Sequence, residues 1–169
     1  MTVPVRKARP LDGDEAFKDA LALLPAALAI VTTRDENGRR WGLTASSVAS
    51  VSLDPPLVLV GISHTSSCFK ALSRAPGFVI NLLGDRHREL ARRFATSGID
   101  RFAGQPFTDW PGTALPHLAD AHAAFRCRTV DRVRAGDHDL LIGRLTELRA
   151  DGGESPLLWY RRGFAVPAE

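Results

Sequence analysis

Apolar residues recur at two different spacings along this chain. Near the start, Phe17, Ala20, Leu21 and Leu24 stand three and four apart, which gathers them on one face of a helix. Asp12 or Asp14 is placed to cap that helix, and Pro25 stops it. Beyond Pro25 the pattern changes to short apolar runs bounded by turn residues, the mark of strands.

Leu28 to Thr33 is the first such run. Asp35-Glu-Asn-Gly38 follows as a hairpin turn, because Asn-Gly tolerates the positive φ angles a tight reversal demands. A returning strand begins near Trp41 and continues through Leu43 into a hydroxyl-rich stretch ending at Ser52, broken by Asp54-Pro-Pro56. Leu57 to Ile62 and Phe78 to Leu83 read as strands buried on both faces, the second interrupted by Asn81. Between them, Phe69 to Ser73 is a short helix. Asp85 caps another from about Arg86 to Ala95, with Leu90, Ala91 and Phe94 inward. Residues 97–117 are rich in glycine and proline and predict an irregular excursion, a feature that often carries function. Phe125 to Val133 and Leu140 to Leu148 flank the turn Ala135-Gly-Asp-His138, and Leu157 to Tyr160 opens a last strand.

The sum is about six or seven strands and three short helices, mostly joinable as hairpins. That predicts a mainly β protein with short helices, folded as an antiparallel barrel rather than a doubly wound parallel sheet. Residues 1–12 read as an extended arm and 13–169 as one domain.

Composition narrows the class. Of 169 residues, 44% are apolar and 24% charged, which fits a globular domain and argues against disorder. The longest apolar stretch, Ala20 to Val31, is interrupted by Pro25 and is too short to span a bilayer. No signal-peptide pattern stands at the N-terminus, so a cytoplasmic protein without a membrane partner is expected. The net charge is +3, but the basic residues occur as scattered pairs, so no nucleic-acid footprint is expected. Cys68 and Cys127 form neither a disulfide framework nor a CxxC motif, and the five histidines show no ligand spacing, so no metal site is expected. Glycine-rich nucleotide loops and nucleophile elbows are absent from the sequence. If the chain is an enzyme, a bound organic cofactor carries the chemistry.

Two hydroxyl clusters are the positive signal. Thr44, Ser46, Ser47, Ser50 and Ser52 lie at a strand end; Ser63, Thr65, Ser66 and Ser67 precede a short helix. Hydroxyls beside a helix N-terminus suit a phosphate, although capping and strand-edge roles account for the same residues. Asn81 in an apolar strand needs partners, from backbone or from a ligand. His138, beside the Gly-Asp turn, is a candidate hydrogen-bonding group.

Taken in order, several segments resemble the short-chain flavin reductase family, the NAD(P)H-dependent partners of two-component flavin monooxygenases. They are Gly42-Leu-Thr-Ala-Ser-Ser-Val-Ala-Ser-Val-Ser-Leu-Asp-Pro-Pro-Leu-Val-Leu-Val60, Phe78-Val-Ile-Asn-Leu-Leu83, Leu90-Ala-Arg-Arg-Phe-Ala95, Arg101-Phe-Ala-Gly104, and Gly136-Asp-His138 through Ile142-Gly143. The resemblance implies an FMN-binding split β-barrel with a Greek-key-like path, present as a homodimer, that uses FMN or FAD with NADH or NADPH. It places Thr44, Ala45, Ser46, Ser47, Ser50 and Val51 along the isoalloxazine and ribityl chain, and Ser63, Thr65, Ser66 and Ser67 at the phosphate. Asn81 and Leu82 are expected to approach the flavin, with Arg93 or Arg101, and Phe102, closing the site. His138 is expected at the nicotinamide, with Tyr160 and Phe164 near it. The implied reaction is reduction of free flavin for a partner monooxygenase. A pyridoxamine-phosphate-type FMN oxidase and a non-catalytic flavin- or haem-binding module remain as alternatives. Leu43, where the family often has Met, and Phe164, where it often has Tyr, depart from the family pattern.

Overall fold

A computed structural model of the chain describes residues 10, 12–150 and 153–168. The expected arm over 1–12 lies outside these, apart from positions 10 and 12. Its centre is a seven-stranded antiparallel sheet built from β2 (Ala29–Arg34), β3 (Arg40–Ala45), β4 (Val48–Leu53), β5 (Pro56–Ser63), β6 (Gly77–Leu82), β9 (Ala123–Ala135) and β10 (His138–Ala150). The lateral order is β3-β2-β6-β9-β10-β5-β4.

That order forces the shape. Flat, the outer strands of seven would lie about 29 Å apart, at ~4.8 Å per strand. Yet the outer strands β3 and β4 are consecutive, joined through Ser46 and Ser47 alone, a link that spans at most about 11 Å. The sheet must therefore curl until its edges nearly meet. The link is held against β5, where the β4–β5 ladder runs one residue past the Val48–Val60 pair: the Gly61 N–H donates to the Ser47 carbonyl at 2.9 Å, and the Ser47 hydroxyl donates to the Gly61 carbonyl at 2.8 Å. The returning strand expected from Trp41 ends at Ala45, and the hydroxyl-rich stretch after it forms a second strand on the opposite edge. A period-2 pattern does not register such a break, because the alternation continues across it.

Two cores lie on the two faces of the curled sheet. Ala29 and Val31 of β2 and Phe78 and Ile80 of β6 point inward with Val60, Ile62 and Leu141. Their neighbours Ile30 and Val79 point outward, under Leu90, Ala91 and Phe94 of helix α3 (Arg88–Ala95). Alternate side chains are buried on opposite faces, which is why these strands read as unbroken apolar runs. Asn81 is fully buried among them.

Several expectations need correction. Helix α1 (Gly13–Leu21) exists, but Asp12 makes no side-chain cap bond and none of its residues is buried. Its stripe of Phe17 and Leu21 is turned to solvent, 49% and 48% exposed. Asp85 does not cap α3; it opens a 3-10 turn, Asp85–His87, and α3 begins at Arg88. The excursion over 97–117 contains a hairpin of β7 (Phe107–Asp109) and β8 (Pro116–Leu118), too short for a periodic signal. The tail forms a separate three-stranded sheet from β1 (Ala26–Ala27), β11 (Leu158–Tyr160) and β12 (Gly163–Ala165). Helix α2 (Phe69–Arg74) stands where expected. No helix among the described residues is long and apolar enough to cross a membrane.

Candidate functional site

The barrel seam opens onto a cleft of about 410 Å³. One wall is the end of β3 and the link after it, Thr44, Ala45, Ser46 and Ser47; the other is the turn after β5, with Ser63, Thr65, Ser66 and Ser67. Arg101 from the excursion, Phe94 and Ala95 from α3, and His138 complete it. Segments remote in sequence converge because β5 pairs with β10, setting His138 opposite Ser63. Gly61 lies beneath: a methyl there would meet Ser47 Oγ at 3.0 Å and His138 Cδ2 at 3.9 Å.

The hydroxyls divide into two groups. Thr44 Oγ1 donates to the Ala91 carbonyl at 2.7 Å, and Ser47 is spent on Gly61. These two shape the wall. Ser63 and Thr65 share a hydrogen bond of 2.9 Å, which leaves their remaining lone pairs or proton to the cleft. Ser66 Oγ accepts from the Cys68 N–H at 3.2 Å. The Phe69 N–H is likewise taken, by the Ser66 carbonyl. Helix α2 has only six residues, and with the Cys68 and Phe69 N–H groups taken, the hydroxyls and Arg101 carry much of the polarity at this turn.

Arg101 is braced from three sides. Its Nε donates to the Thr96 carbonyl at 2.8 Å, and its Nη1 lies 2.8 Å from the Gly42 carbonyl and 3.1 Å from Cys68 Sγ. Arg93 does not reach the cleft. Its guanidinium donates to the carbonyls of Arg101 and Asp100 at 2.9 and 2.6 Å, holding the loop that presents Arg101. His138 Nδ1 donates to Asp137 Oδ1 at 2.8 Å, which holds the Asp137 carboxyl below its ordinary range and leaves Nε2 as the other ring contact.

Other expected residues lie elsewhere. Ser50 and Val51 are exposed on edge strand β4, at a register irregularity, and do not line the cleft. The Asn81 amide is consumed by protein: Nδ2 donates to the Ile30 carbonyl at 2.8 Å, and Oδ1 accepts from the Leu118 N–H at 2.8 Å. It ties β8 to the sheet, and Leu82 beside it also lies outside the cleft. Phe102 is packed edge-on against Phe94 at 5.0 Å and lines an adjoining groove. Phe164 lines a smaller recess of about 230 Å³ with Trp159, which shares Thr44, Ser46 and Ala95 with the cleft but not His138. Tyr160 lines none of these openings; Arg161 stacks on it at 5.3 Å. Sequence reasoning missed Gly61 and Cys68. Gly61 had a legible signal, a lone glycine inside an apolar strand run, which marks a close approach.

Residues 21–167 match the flavin reductase like domain. The chain belongs to that family. It is similar to the NADH:riboflavin 5'-phosphate oxidoreductase of Streptomyces pristinaespiralis, 53% identical over 95% of this chain and 92% of that protein. Among solved structures it resembles the NADH:FAD oxidoreductase SgcE6 of Streptomyces globisporus C-1027, in complex with NAD and FAD fragments. The TM-score there is 0.87 at 25% identity, over 95% of this chain and 98% of that one. It also resembles the styrene monooxygenase flavin reductase of Pseudomonas putida S12, with a TM-score of 0.81 at 28% identity, over 90% and 97% of the two chains. The split-barrel fold and the flavin reductase family expected from the sequence both hold.

Proposed function

We infer that this flavin reductase oxidises NADH in the seam cleft and passes the electrons to FMN or FAD. The observation that carries the site is the convergence of Ser46–Ser47, Ser63–Ser67, Arg101 and His138, four remote segments, on one cleft of about 410 Å³. Its volume falls within the roughly 300–1,000 Å³ of small-molecule sites. Its donor set, several hydroxyls and one guanidinium, suits a ligand with carbonyls, ring nitrogens and a phosphate. A bound flavin supplies a ring that accepts hydride from the dihydronicotinamide carbon.

The chain's own residues do the rest. Thr44 and Ser47 are locked by the protein, so the β3 wall is rigid and the ring plane is set in advance. The β3 edge offers backbone N–H groups toward charge developing on the ring, without reorganisation. Ser63, Thr65 and Arg101 hold the phosphate end. Buried Phe94 and Ala91 back the wall and keep water from that side. His138, oriented by Asp137, faces the nicotinamide and positions it through Nε2.

Reduced flavin then leaves for a partner monooxygenase, as the likeness to a styrene monooxygenase reductase supports. A homodimer is supported by apolar surface left uncovered among the described residues: Phe17 and Leu24 near α1, and Leu53, 95% exposed, on β4. NADPH serves as a second donor, and the protein works in the cytoplasm. The test is steady-state oxidation of NADH and NADPH by purified protein with FMN, FAD and riboflavin. Turnover that requires added flavin supports the reading. Flavin binding with no oxidation of either nucleotide refutes it.

A further inference from the structure

Beside the cleft lies a larger groove, of about 690 Å³, which shares Ser67 and Arg101 with it. The shared residues make the two openings one continuous surface. Arg39, Arg40 and Trp41, on the strand that forms the cleft wall, line the groove. The Arg39 guanidinium sits 4.2 Å over the Trp41 ring, and that of Arg40 sits 4.8 Å over Phe102. Among the described residues, Arg39, Arg40 and Arg101 make no direct ion pair with a carboxylate, although the Arg39 charge is near enough to help lower the Asp35 carboxyl, whereas Arg34, Arg86, Arg88, Arg92 and Arg126 each do. Asp100 also borders the groove, but its carboxylate accepts the Phe102 N–H at 3.0 Å and its carbonyl accepts Arg93.

Trp41 is fixed. Its indole N–H donates to Asp35 Oδ2 at 2.8 Å, and that bond is the main reason the Asp35 carboxyl titrates below its ordinary value. A held indole with a guanidinium over its face is a surface on which a purine stacks, between the two or in place of the arginine. Arginines without carboxylate partners are suited to phosphate, which their fork meets with paired hydrogen bonds. Nothing in the cleft's own chemistry requires this second cationic, aromatic opening.

We propose that the Arg39–Arg40–Trp41 groove is an adenylate site, which takes the AMP half of a dinucleotide whose other half occupies the cleft. The proposal rests on the flavin reductase reading of that cleft. Two sources share the chemistry, FAD and NADH, and the truncated partner of each separates them. FMN lacks the adenylate of FAD; reduced nicotinamide mononucleotide lacks that of NADH.

The experiment compares the unmodified enzyme with the double variant Arg39→Ala/Arg40→Ala. It reads Kd for FMN and FAD, KM for NADH and reduced nicotinamide mononucleotide, and the melting temperature. Loss of charge-assisted contacts should weaken the dinucleotide about tenfold and leave its truncated partner unchanged. A selective rise in Kd for FAD identifies the flavin as the source, and a selective rise in KM for NADH identifies the nicotinamide dinucleotide; either supports the site. Unchanged ratios in both pairs, or equal losses for all four compounds, overturn it. Should the variant fail to fold, AMP titrated into the unmodified protein with FMN present decides: saturable binding displaced by FAD or NADH supports the site, and no binding overturns it. FMN-dependent NADH oxidation by the unmodified enzyme is read alongside. Its absence would end the reading of the cleft, whereas the adenylate site fails with that turnover intact.

Discussion

Gly61→Ala tests the barrel seam as the positioning device of the flavin site. The new methyl would stand 3.0 Å from Ser47 Oγ and 3.2 Å from Ser47 Cβ. Ordinary contacts begin near about 3.5 Å, so Ser47 must retreat by about half an ångström. That retreat strains the hydroxyl bond to the Gly61 carbonyl and the backbone bond returning from the Gly61 N–H. Losing one such bond costs about 1 kcal/mol, and overpacking adds at least as much again, ~1–3 kcal/mol. A total of about 2 kcal/mol lowers the melting temperature of a domain this size by about 4–8 °C. If Ser47 fixes the ring plane, the flavin KM rises about fivefold, the equivalent of one misplaced contact of ~1 kcal/mol. His138 sits at an ordinary 3.9 Å from the new methyl, so the KM for NADH should move far less. The assay is steady-state NADH oxidation over a flavin series, with a melt on the same protein. Removing the clash with Ser47→Gly should make the two substitutions non-additive, the double variant melting above the sum of the singles. An unchanged flavin KM in a variant whose melting temperature has fallen would refute the reasoning, since the seam would then be structural only.

Other outcomes follow from the same geometry. His138→Ala should raise KM for NADH several-fold more than KM for flavin in steady-state kinetics; equal effects would make the Gly-Asp-His turn a mere hairpin. Gly143→Ala puts a methyl 2.5 Å from Phe78 Cζ and 2.9 Å from Cys127 Cβ inside the barrel. It should cost about 1–3 kcal/mol or more in urea unfolding, with no selective effect on either substrate. His117 is buried, and burial followed by the Arg149 charge lowers its pKa below the ordinary 6.5. Arg149 donates to its Nε2, so Nδ1 carries the proton and donates to the Thr108 carbonyl. The fold favours neutral His117. Its contribution is complete above pH 6.5 and is lost as pH falls through the depressed folded-state value. Urea midpoints should therefore drop below pH 6.5, and His117→Gln should flatten that arm of the profile. Burial pushes the Cys127 thiol up to about 12, so a thiol reagent should leave it unmodified until the protein is unfolded.

Local chemistry alone was enough for much of this molecule. The unbroken apolar runs of β2 and β6, the Asn-Gly turn, Pro25 and the inward face of α3 are consequences of residue type over a few positions, so they could be read directly. The Ser63–Ser67 turn and the β3 end were legible as hydroxyl clusters, and the family resemblance brought them to one ligand. Chain closure was not legible. Whether Ser46–Ser47 continues a strand or links opposite sheet edges depends on the curl of seven strands, an energy summed over contacts remote in sequence. The same holds for Asn81, whose amide serves a hairpin 37 residues away rather than a ligand, and for Ser50 and Val51, left on an open edge. It holds above all for the groove beside the cleft. Arg39 and Arg40 look like any solvated pair in the sequence; folding leaves them without a direct ion pair, over the Trp41 and Phe102 rings, in a groove that shares Ser67 and Arg101 with the cleft.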